Sequence, residues 1–417
     1  MTLPARHGQL VAAAVEQGWL AIIGIGEDGV EGLGAAARQR LSASAVVYGG
    51  KRHLDLVRHL IRGDARPWPS PIRAAISEIR ALRGTLVAVL VSGDPFFHGM
   101  GSVLAEAFTP DDFIAHPSPS AFSLAAARLG WPLQDTEMLS LCGHPVETVI
   151  PLMQPGRRLL ILSADETTPA AVAAILAENG FGSSRIDILE AMGGSSERRR
   201  QARADTFALA DVARLNVIAV AVSGGASADP LPVSAGLEDT RFEADGMLTK
   251  REIRAITLSS LAPRAGDLLW DIGTGSGSVA IEWLLAHRAN RAIAIEHRAD
   301  RALGARRNAA ALGVPRLDVR EGVAPAALMD MPVPDAVFIG GGLTSPGLMD
   351  RVWQALTSGG RLVANSVTLE GDQVLGDAVH RLGGSLTRIA VERLDRVGRL
   401  HGYRPAMTVT QYRTVKQ

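Results

Sequence analysis

The sequence predicts an α/β protein of two domains, each built on an open sheet covered by helices. Short apolar, β-branched runs alternate with Ala- and Leu-rich helical stretches through most of the 417 residues, as expected of strand–helix–strand units with largely parallel sheets. The stretch Gly224–Glu243 is polar, rich in turn formers and without periodicity. We therefore predict a first domain over 1–225, a linker over 226–243 and a second domain over 244–417.

The predicted strands are short apolar runs bounded by turn formers. They are Leu20–Ile25, Val46–Tyr48, Leu86–Val91, Leu159–Leu162, Val217–Val222, Leu268–Ile272, Ala292–Ile295, Ala336–Ile339 and Arg361–Ala364. Helices are predicted over Phe122–Leu129, Ala170–Asn179 and Val279–His287. Ser120 is placed to cap the first of these helices.

Composition excludes several classes of protein. The 43 basic and 43 acidic residues balance, which argues against a general nucleic-acid binder. The single cysteine, Cys142, rules out an internal disulfide or a multi-thiolate metal site. The apolar run Leu10–Val15 is too short for a signal peptide, and no apolar run reaches the roughly 18 residues of a spanning helix. We predict a cytoplasmic protein with no metal, membrane or nucleic-acid partner.

A glycine loop follows the predicted strand Leu268–Ile272. Gly273-Thr274-Gly275-Ser276-Gly277 leads directly into a helix, so backbone N–H groups and a helix N-terminus face a ligand without an intervening Cβ. Asp271 can accept hydrogen bonds from an ammonium group. Glu296, at the end of the next predicted strand, suits the two hydroxyls of a ribose.

The spacing of this loop separates two cofactors. Dinucleotide folds prefer G-x-G-x-x-G with a pyrophosphate at the helix N-terminus. The chain has G-x-G-x-G directly after an acidic residue, which favours the cationic methionine moiety of S-adenosylmethionine over NAD.

The second half resembles the class I methyltransferases, and closely the CbiT type that acts on a precorrin. The resemblance rests on the glycine loop and on the segments Gly246–Arg254, Glu321–Leu328, Phe338–Gly342 and Asn365–Glu370. It implies a Rossmann-like fold and cofactor contacts at Thr249, Asp271, Gly273, Thr274, Gly275, Ser276, Gly277, Glu296, Gly322, Val323 and Ala324. Val323 departs from the family, where Asp often stands near the adenine, so backbone would have to read the adenine edge.

Loops rich in turn formers end several predicted strands of the first half. They are Gly24–Gly29, Val91–Gly99, Pro117–Ala121 and Leu139–Pro145, and ligands of open α/β sheets bind where such loops converge. This set resembles the tetrapyrrole methylases, a class III methyltransferase fold, in particular the CbiE type. The resemblance implies cofactor contacts at Ser92, Gly93, Asp94, Ser120, Ala121, Cys142, Met192 and Gly193. Glu27 and Asp28 replace the family's Pro-Gly; they either repel a substrate carboxylate or hold a basic side chain.

The two halves in this order resemble the fused CobL-type methyltransferases. The resemblance implies two S-adenosylmethionine sites, one per domain, and a precorrin substrate, precorrin-6Y. Methylation at C5 by the first domain and at C15 by the second, with decarboxylation of the C12 acetate, would give precorrin-8X in cobalamin biosynthesis. Related enzymes form homo-oligomers, which implies a dimer or tetramer.

Basic side chains should meet the carboxylates of such a substrate. The candidates are Lys51, Arg52 and His53 in the first domain and Lys250, Arg251 and Arg254 in the second. Asn365 either contacts substrate or caps the following helix. No residue is assigned to catalysis.

Two other functions compete with this one. A methyltransferase fusion acting on RNA or a protein side chain would predict a basic stripe or an Asn-Pro-Pro-aromatic motif where Phe338–Gly342 stands. A nucleotide-binding regulatory module would predict tight NAD or ATP binding without turnover.

Overall fold

The computed structural model describes residues 18–417, so the apolar run at 10–15 lies outside the described residues. The chain divides into two compact units. The first ends at Val146 and resumes over Gln154–Asp229, and the second comprises Glu147–Met153 and Pro230–Gln417. Within 18–417, no helix has the length and apolarity that crossing a membrane requires.

The first unit contains two five-stranded sheets. Its strands are β1 Leu20–Ile25, β2 Val46–Gly49, β3 Asp64–Pro67, β4 Val87–Ser92, β5 Phe113–His116, β6 Thr136–Ser140, β7 Arg158–Leu162, β8 Arg185–Glu190, β9 Arg198–Arg203 and β10 Asn216–Ala221. Its helices are α1 Ala35–Ala43, α2 Lys51–Leu56, α3 Ala74–Ala81, α4 Met100–Ala107, α5 Ala121–Leu129 and α6 Thr168–Glu178. The first sheet has the order β3-β2-β4-β1-β5 and is parallel throughout.

The second sheet is mostly antiparallel, so the prediction of largely parallel strands is wrong for it. Its order is β6-β7-β10-β8-β9, and only β6 and β7 are parallel. The Arg-rich β9, which no apolar pattern could reveal, forms its edge because buried carboxylates lie beside it. Arg198 and Arg200 bond Glu190, and Arg199 bonds Asp187, and both carboxylates are 1% exposed.

The second unit is one seven-stranded sheet with helices and a separate two-stranded hairpin. Its strands are β11 Leu268–Ile272, β12 Arg291–Glu296, β13 Asp318–Glu321, β14 Ala336–Ile339, β15 Arg361–Ser366, β16 Ser385–Ile389, β17 Glu392–Val397, β18 Leu400–Pro405 and β19 Val409–Val415. Its helices are α7 Arg251–Leu261, α8 Ser278–Ala286, α9 Ala299–Ala311, α10 Leu348–Ala355 and α11 Leu369–Leu382. The sheet order is β13-β12-β11-β14-β15-β19-β16, with β19 antiparallel to both neighbours. β17 and β18 form the hairpin.

The central parallel strands of the first sheet and of the seven-stranded sheet are buried on both faces. In the first unit the apolar residues of β1 and β4 are at most 2% exposed, and in the second the same holds for β11 and β14. Side chains that alternate along each strand therefore pack into layers on both sides of the sheet. The carboxyl ends of these strands are the fixed edge from which the loops described next project.

Most of the segment 226–243 packs on the second unit. The N–H groups of Gly236 and Leu237 donate to the carboxylate of Glu282 on α8. Leu237 and Phe242 are buried. The contact boundary of the two units falls between Asp229 and Pro230.

Candidate functional site

A cleft of about 280 Å³ lies at the carboxyl ends of strands of the first unit. Its lining includes most of the predicted cofactor residues: Ser92, Gly93, Asp94, Ser120, Ala121, Cys142 and Met192. Ser120 caps α5 as predicted, since its Oγ accepts the Ser123 N–H. Gly193 is outside the lining, and its N–H donates to Glu197.

Two loops of this cleft meet backbone to backbone. A Cβ at Gly24 would lie 1.9 Å from the carbonyl oxygen of Gly93. The Ser118 hydroxyl donates to the Gly24 carbonyl at 2.8 Å. The end of β1 therefore needs glycine so that the Ser92–Asp94 loop and the Pro117–Ala121 loop can converge on one site.

Two roles were considered for the acidic residues Glu27 and Asp28: repelling a substrate carboxylate or holding a basic side chain. Glu27 has the second role. Its carboxylate forms an ion pair with Arg52, and both residues line the cleft. His53, also predicted to be a carboxylate ligand, is buried instead. Its Nε2 lies 3.1 Å from Ser92 Oγ, and burial and the charge of Arg52 lower its pKa to about 4. The prediction of His53 as a cation for the substrate is therefore wrong.

The cleft also contains residues that sequence reasoning missed. Arg214 and Asn216 line it. His98, which belongs to the loop Val91–Gly99 identified from sequence, also lines the cleft and makes tilted or edge-on contacts with Phe97 and Phe122. His98 has a φ of 57°, a conformation that costs energy outside glycine and often marks a functional site. The sequence offered one sign that Asn216 has a functional role: it is a polar residue at the start of an apolar strand.

The glycine loop of the second unit lies against the loop after β14. A Cβ at Gly273, where φ is +70°, would lie 2.6 Å from the Cα of Gly341. The N–H groups of Gly340 and Gly341 both donate to the Ile272 carbonyl. This close approach explains Gly273 and Gly341, whereas a Cβ at Gly277 would lie 3.1 Å from the Cβ of Ala305 on α9.

Asp271 is the buried acid of this loop. It is 0% exposed; its Oδ2 accepts the Thr274 hydroxyl at 2.6 Å and the Ala280 N–H at 3.1 Å. Burial raises its pKa to about 6, and the nearby charge of Glu296 adds to this effect. Among residues 18–417, Asp271 Oδ1 and the buried Ser276 Oγ have no hydrogen-bond partner. A carboxylate oxygen left unpaired in this way fits the ammonium or sulfonium of S-adenosylmethionine.

Glu296 reaches the same loop from β12. Its Oε2 accepts the Gly275 N–H at 3.0 Å, and its Oε1 accepts the Arg298 N–H at 3.0 Å. The carboxylate is 2% exposed. Its Oε1 also lies 3.0 Å from His297 Nδ1, whereas Oε2 keeps a lone pair for a ribose hydroxyl.

Thr249, Gly322, Val323 and Ala324 are the remaining residues predicted to contact a cofactor in the second unit. Gly275 lies near the carbonyl of Met247, two residues before Thr249. The Gly322 N–H donates to the Glu296 carbonyl at 2.9 Å. Val323 is 65% exposed, and Ala324 packs against the core.

The basic candidates fall into different environments. Lys51 is 88% exposed and pairs with Asp55, and it is outside the cleft lining. Lys250 is exposed and directly precedes α7. Arg251 pairs with Glu238 at 3.1 Å. These three remain accessible to an anion.

The structure contradicts the prediction that Arg254 binds the substrate. It is 0% exposed, and its guanidinium bonds Glu282, Asp239 and the carbonyl groups of Leu237 and Thr249. It therefore binds protein groups only. Its contact with the Thr249 carbonyl makes it a support for the segment over the glycine loop.

Asn365 belongs to a polar network and does not cap α11. Its Nδ2 donates to Thr257 Oγ1 at 2.9 Å, and its Oδ1 accepts Gln411 Nε2 at 3.0 Å. The cap is Thr368, whose Oγ1 accepts the Gly371 N–H. The helix-capping alternative is therefore wrong, and Asn365 remains half-buried.

Comparison with known proteins matches each half to a family. Residues 20–208 match the tetrapyrrole (corrin/porphyrin) methylases, and residues 240–416 match the precorrin methyltransferase domain. A precorrin-6Y C(5,15)-methyltransferase [decarboxylating] of Sinorhizobium sp is 50% identical over 403 residues, 97% of this chain and 98% of that protein. A protein of the same name from Mycobacterium tuberculosis (strain CDC 1551 / Oshkosh) is 40% identical over 95% of this chain and 99% of its own. The crystal structure of the C-terminal domain of precorrin-6Y C5,15-methyltransferase from Rhodobacter capsulatus shares 45% identity, with 45% of this chain and 100% of that chain covered at a TM-score of 0.43.

Proposed function

The chain belongs to the family of precorrin-6Y C(5,15)-methyltransferases (decarboxylating), and from this premise we propose that it converts precorrin-6Y to precorrin-8X in cobalamin biosynthesis. The first unit methylates C5 and the second methylates C15, with loss of CO2 from the C12 acetate. Each unit binds its own S-adenosylmethionine. The observation that carries the proposal is the presence in one chain of two differently built sites, the cleft of the first unit and the glycine loop of the second.

In the second unit, three acidic and backbone features would hold the cofactor. Asp271 presents an unpaired, buried carboxylate oxygen, and Glu296 lies beside the loop with its Oε2 able to accept a second hydrogen bond. The glycines let the ligand approach the backbone. In the first unit, the Ser92–Asp94 loop and the Ser120 end of α5 would do the equivalent work.

The two methyl transfers depend mainly on the alignment of the methyl donor with the carbon that accepts the methyl group. S-adenosylmethionine supplies an activated methyl electrophile when bound, and the meso carbons of a reduced tetrapyrrole are enamine-like nucleophiles. Holding these two partners in line and excluding water can contribute about 7–11 kcal/mol of the barrier. The conjugated imines of the macrocycle can accept the electrons that decarboxylation releases, so the chain needs no separate electron sink.

Basic residues at each site meet the substrate carboxylates. In the first unit Arg52 and Arg214 both line the cleft, and Glu27 fixes the position of Arg52. In the second unit Lys250 is exposed next to Thr249. Arginine suits the first site because its fork binds a carboxylate through two parallel bonds.

Mass spectrometry of the product tests the proposal. Incubation of the full chain with precorrin-6Y and S-adenosylmethionine should add two methyl groups and remove one CO2. An unchanged macrocycle would refute the substrate.

Variants that block one site each assign the two methyl groups. Gly24→Ala inserts a methyl into the Gly93 carbonyl, and Gly273→Ala inserts one against Gly341. The first variant should lose the C5 methyl and the second the C15 methyl. Loss of the same methyl in both variants would contradict the division between units.

We also propose a cytoplasmic location and a homo-oligomer, dimer or tetramer. The single cysteine fits a reducing compartment. Sedimentation of the purified chain measures the oligomeric state, and a monomer at micromolar concentration would contradict this part of the proposal.

A further inference from the structure

Asn216 has a buried amide oxygen without a partner. The residue is 6% exposed, and among residues 18–417 its Oδ1 has no hydrogen-bond partner. Its Nδ2 donates to the carbonyl of Ala213 at 2.8 Å and to that of Asp165 at 3.4 Å. Two carbonyl acceptors require the NH2 group at that end of the amide. The orientation of the side chain is therefore fixed, and the oxygen points away from both carbonyls.

An unpaired buried acceptor is costly, so it calls for an explanation. Asn216 lines the cleft of the first unit. It begins β10, and its strand neighbour across the sheet is Glu190 of β8. Directly after Glu190, Ala191 also lines the cleft with a φ of 45°, which is strained for alanine. The unpaired oxygen and the strained residue thus lie at the same end of the cleft.

Asn216 belongs to a largely apolar part of the lining. Leu162 ends β7, Leu189 and Met192 lie at the end of β8 and just after it, and Val217 follows Asn216 at the start of β10. Ser163 and Arg214 are the polar residues that these segments add to the lining. Ser92, Asp94 and Ser120, which come from other loops, supply polar groups to the rest of the cleft. These segments form a largely apolar slot in which Asn216 Oδ1 is a buried, unpaired acceptor.

An adenine ring suits this slot in polarity and in hydrogen bonding. It is flat and aromatic, and its exocyclic 6-amino group is a donor that needs one acceptor. We propose that Asn216 Oδ1 accepts a hydrogen bond from the 6-amino group of the adenosyl cofactor in the first unit, and so selects adenine over a 6-oxopurine. This inference rests on the proposed function, because it specifies how one of its two cofactor sites recognises its ligand.

The test compares two ligands by calorimetry on the full chain. S-adenosylhomocysteine carries the 6-amino group, and S-inosylhomocysteine carries a carbonyl oxygen in its place. At the first site the inosyl ligand should bind about 10- to 100-fold more weakly, because its carbonyl faces the carbonyl of Asn216. Asn216→Leu should reduce this ratio to within about twofold, while binding at the second site stays unchanged and serves as the internal reference.

A matched control separates recognition from general damage. Asn179→Leu removes an amide that also donates to a carbonyl, that of Ile175 at 2.8 Å, but that lies outside the cleft lining. It should keep the wild-type preference for the adenosyl ligand. If Asn216→Leu does not fold, Asn216→Ala is measured in the same way.

The outcomes distinguish this inference from the proposed function. If the wild-type first site binds neither ligand, the proposed cofactor site itself is wrong. If it binds both equally, or if Asn216→Leu keeps the full preference, then Asn216 does not read the purine and the inference is overturned.

Discussion

Replacement of Asp271 by asparagine should change the stability of the second unit in a pH-dependent way. The pKa of the buried carboxyl is about 6, against 3.8 for an ordinary aspartate. A difference of about 2.2 pH units at 1.36 kcal/mol per unit corresponds to about 3 kcal/mol. Because the folded state holds the proton more tightly, stability is lost as the pH rises from about 4 through about 6, and the full penalty is present above that range.

Asparagine removes the charge but keeps one acceptor. That oxygen can serve the Thr274 hydroxyl and the Ala280 N–H, whereas the new NH2 group replaces the unpartnered Oδ1. An unsatisfied buried donor costs about 1–3 kcal/mol. At pH 4 the neutral wild-type carboxyl carries an unpaired O–H in the same place, so Asp271→Asn should lie within about 1 kcal/mol of wild type there. At pH 8, where the wild-type carboxyl is ionised, the variant should be up to about 3 kcal/mol more stable than wild type.

Hydrogen exchange on peptides spanning β11 and α8 measures this effect for the second unit alone. The comparison between variant and wild type at each pH cancels the titration of other groups. The same variant should bind S-adenosylmethionine at least tenfold more weakly at pH 8, since a hydrogen bond to a charged group is worth about 1.5–3 kcal/mol. An equal destabilisation at both pH values, or unchanged cofactor affinity, would refute the assigned role of this carboxylate.

Three further predictions concern residues that support the two sites. Arg254→Met leaves a buried carboxylate unpaired and should lower the free energy of unfolding by about 3–5 kcal/mol in urea denaturation. The control Arg251→Met, at an exposed ion pair, should lower it by less than about 1 kcal/mol. Similar losses in the two variants would contradict the buried network of Arg254. Gly24→Ala should abolish calorimetric binding of S-adenosylhomocysteine by the first unit, but Gly34→Ala, which meets nothing within 4 Å, should bind normally. His53, with a pKa of about 4, should appear neutral in ¹⁵N NMR from pH 5.5 to 8. Because the unfolded chain binds this proton more tightly, stability should fall as the pH falls from about 6.5 through about 4. An imidazolium at pH 6 would contradict the burial of His53.

Apolar strands could be predicted from sequence because local pattern and burial agree there. The predicted bounds of β1, β11 and β14 match the structure residue for residue. β9 could not be predicted, since its run Arg198–Arg200 is typical of a solvated face. They form a strand because two carboxylates buried in β8 hold them, and those contacts join residues 8 to 12 positions apart.

Prediction of the candidate sites from sequence is limited in the same way, because some contacts form only in the folded chain. The glycine loops were identifiable because a backbone that must approach another backbone leaves glycine in the sequence. The pairing of Glu27 with Arg52 and the burial of Arg254 depend on side chains brought together by the fold. An arginine beside a cofactor motif therefore gave no sign of whether it faces substrate or the protein interior.

Both proposed cofactor sites have a buried acceptor without a partner, which would link cofactor binding to stability. Asp271 Oδ1 and Asn216 Oδ1 have no partner among residues 18–417, and each unpaired group costs about 1–3 kcal/mol. Such groups lower the stability of the free protein, and a ligand that pairs them offsets the cost on binding. At a hundredfold excess over its dissociation constant, a ligand that binds only the folded state stabilises it by about 2.7 kcal/mol. S-adenosylhomocysteine should therefore slow hydrogen exchange in each unit separately, at β10 in the first and at β11 in the second. Protection of only one unit would mean that the chain has a single adenosyl site.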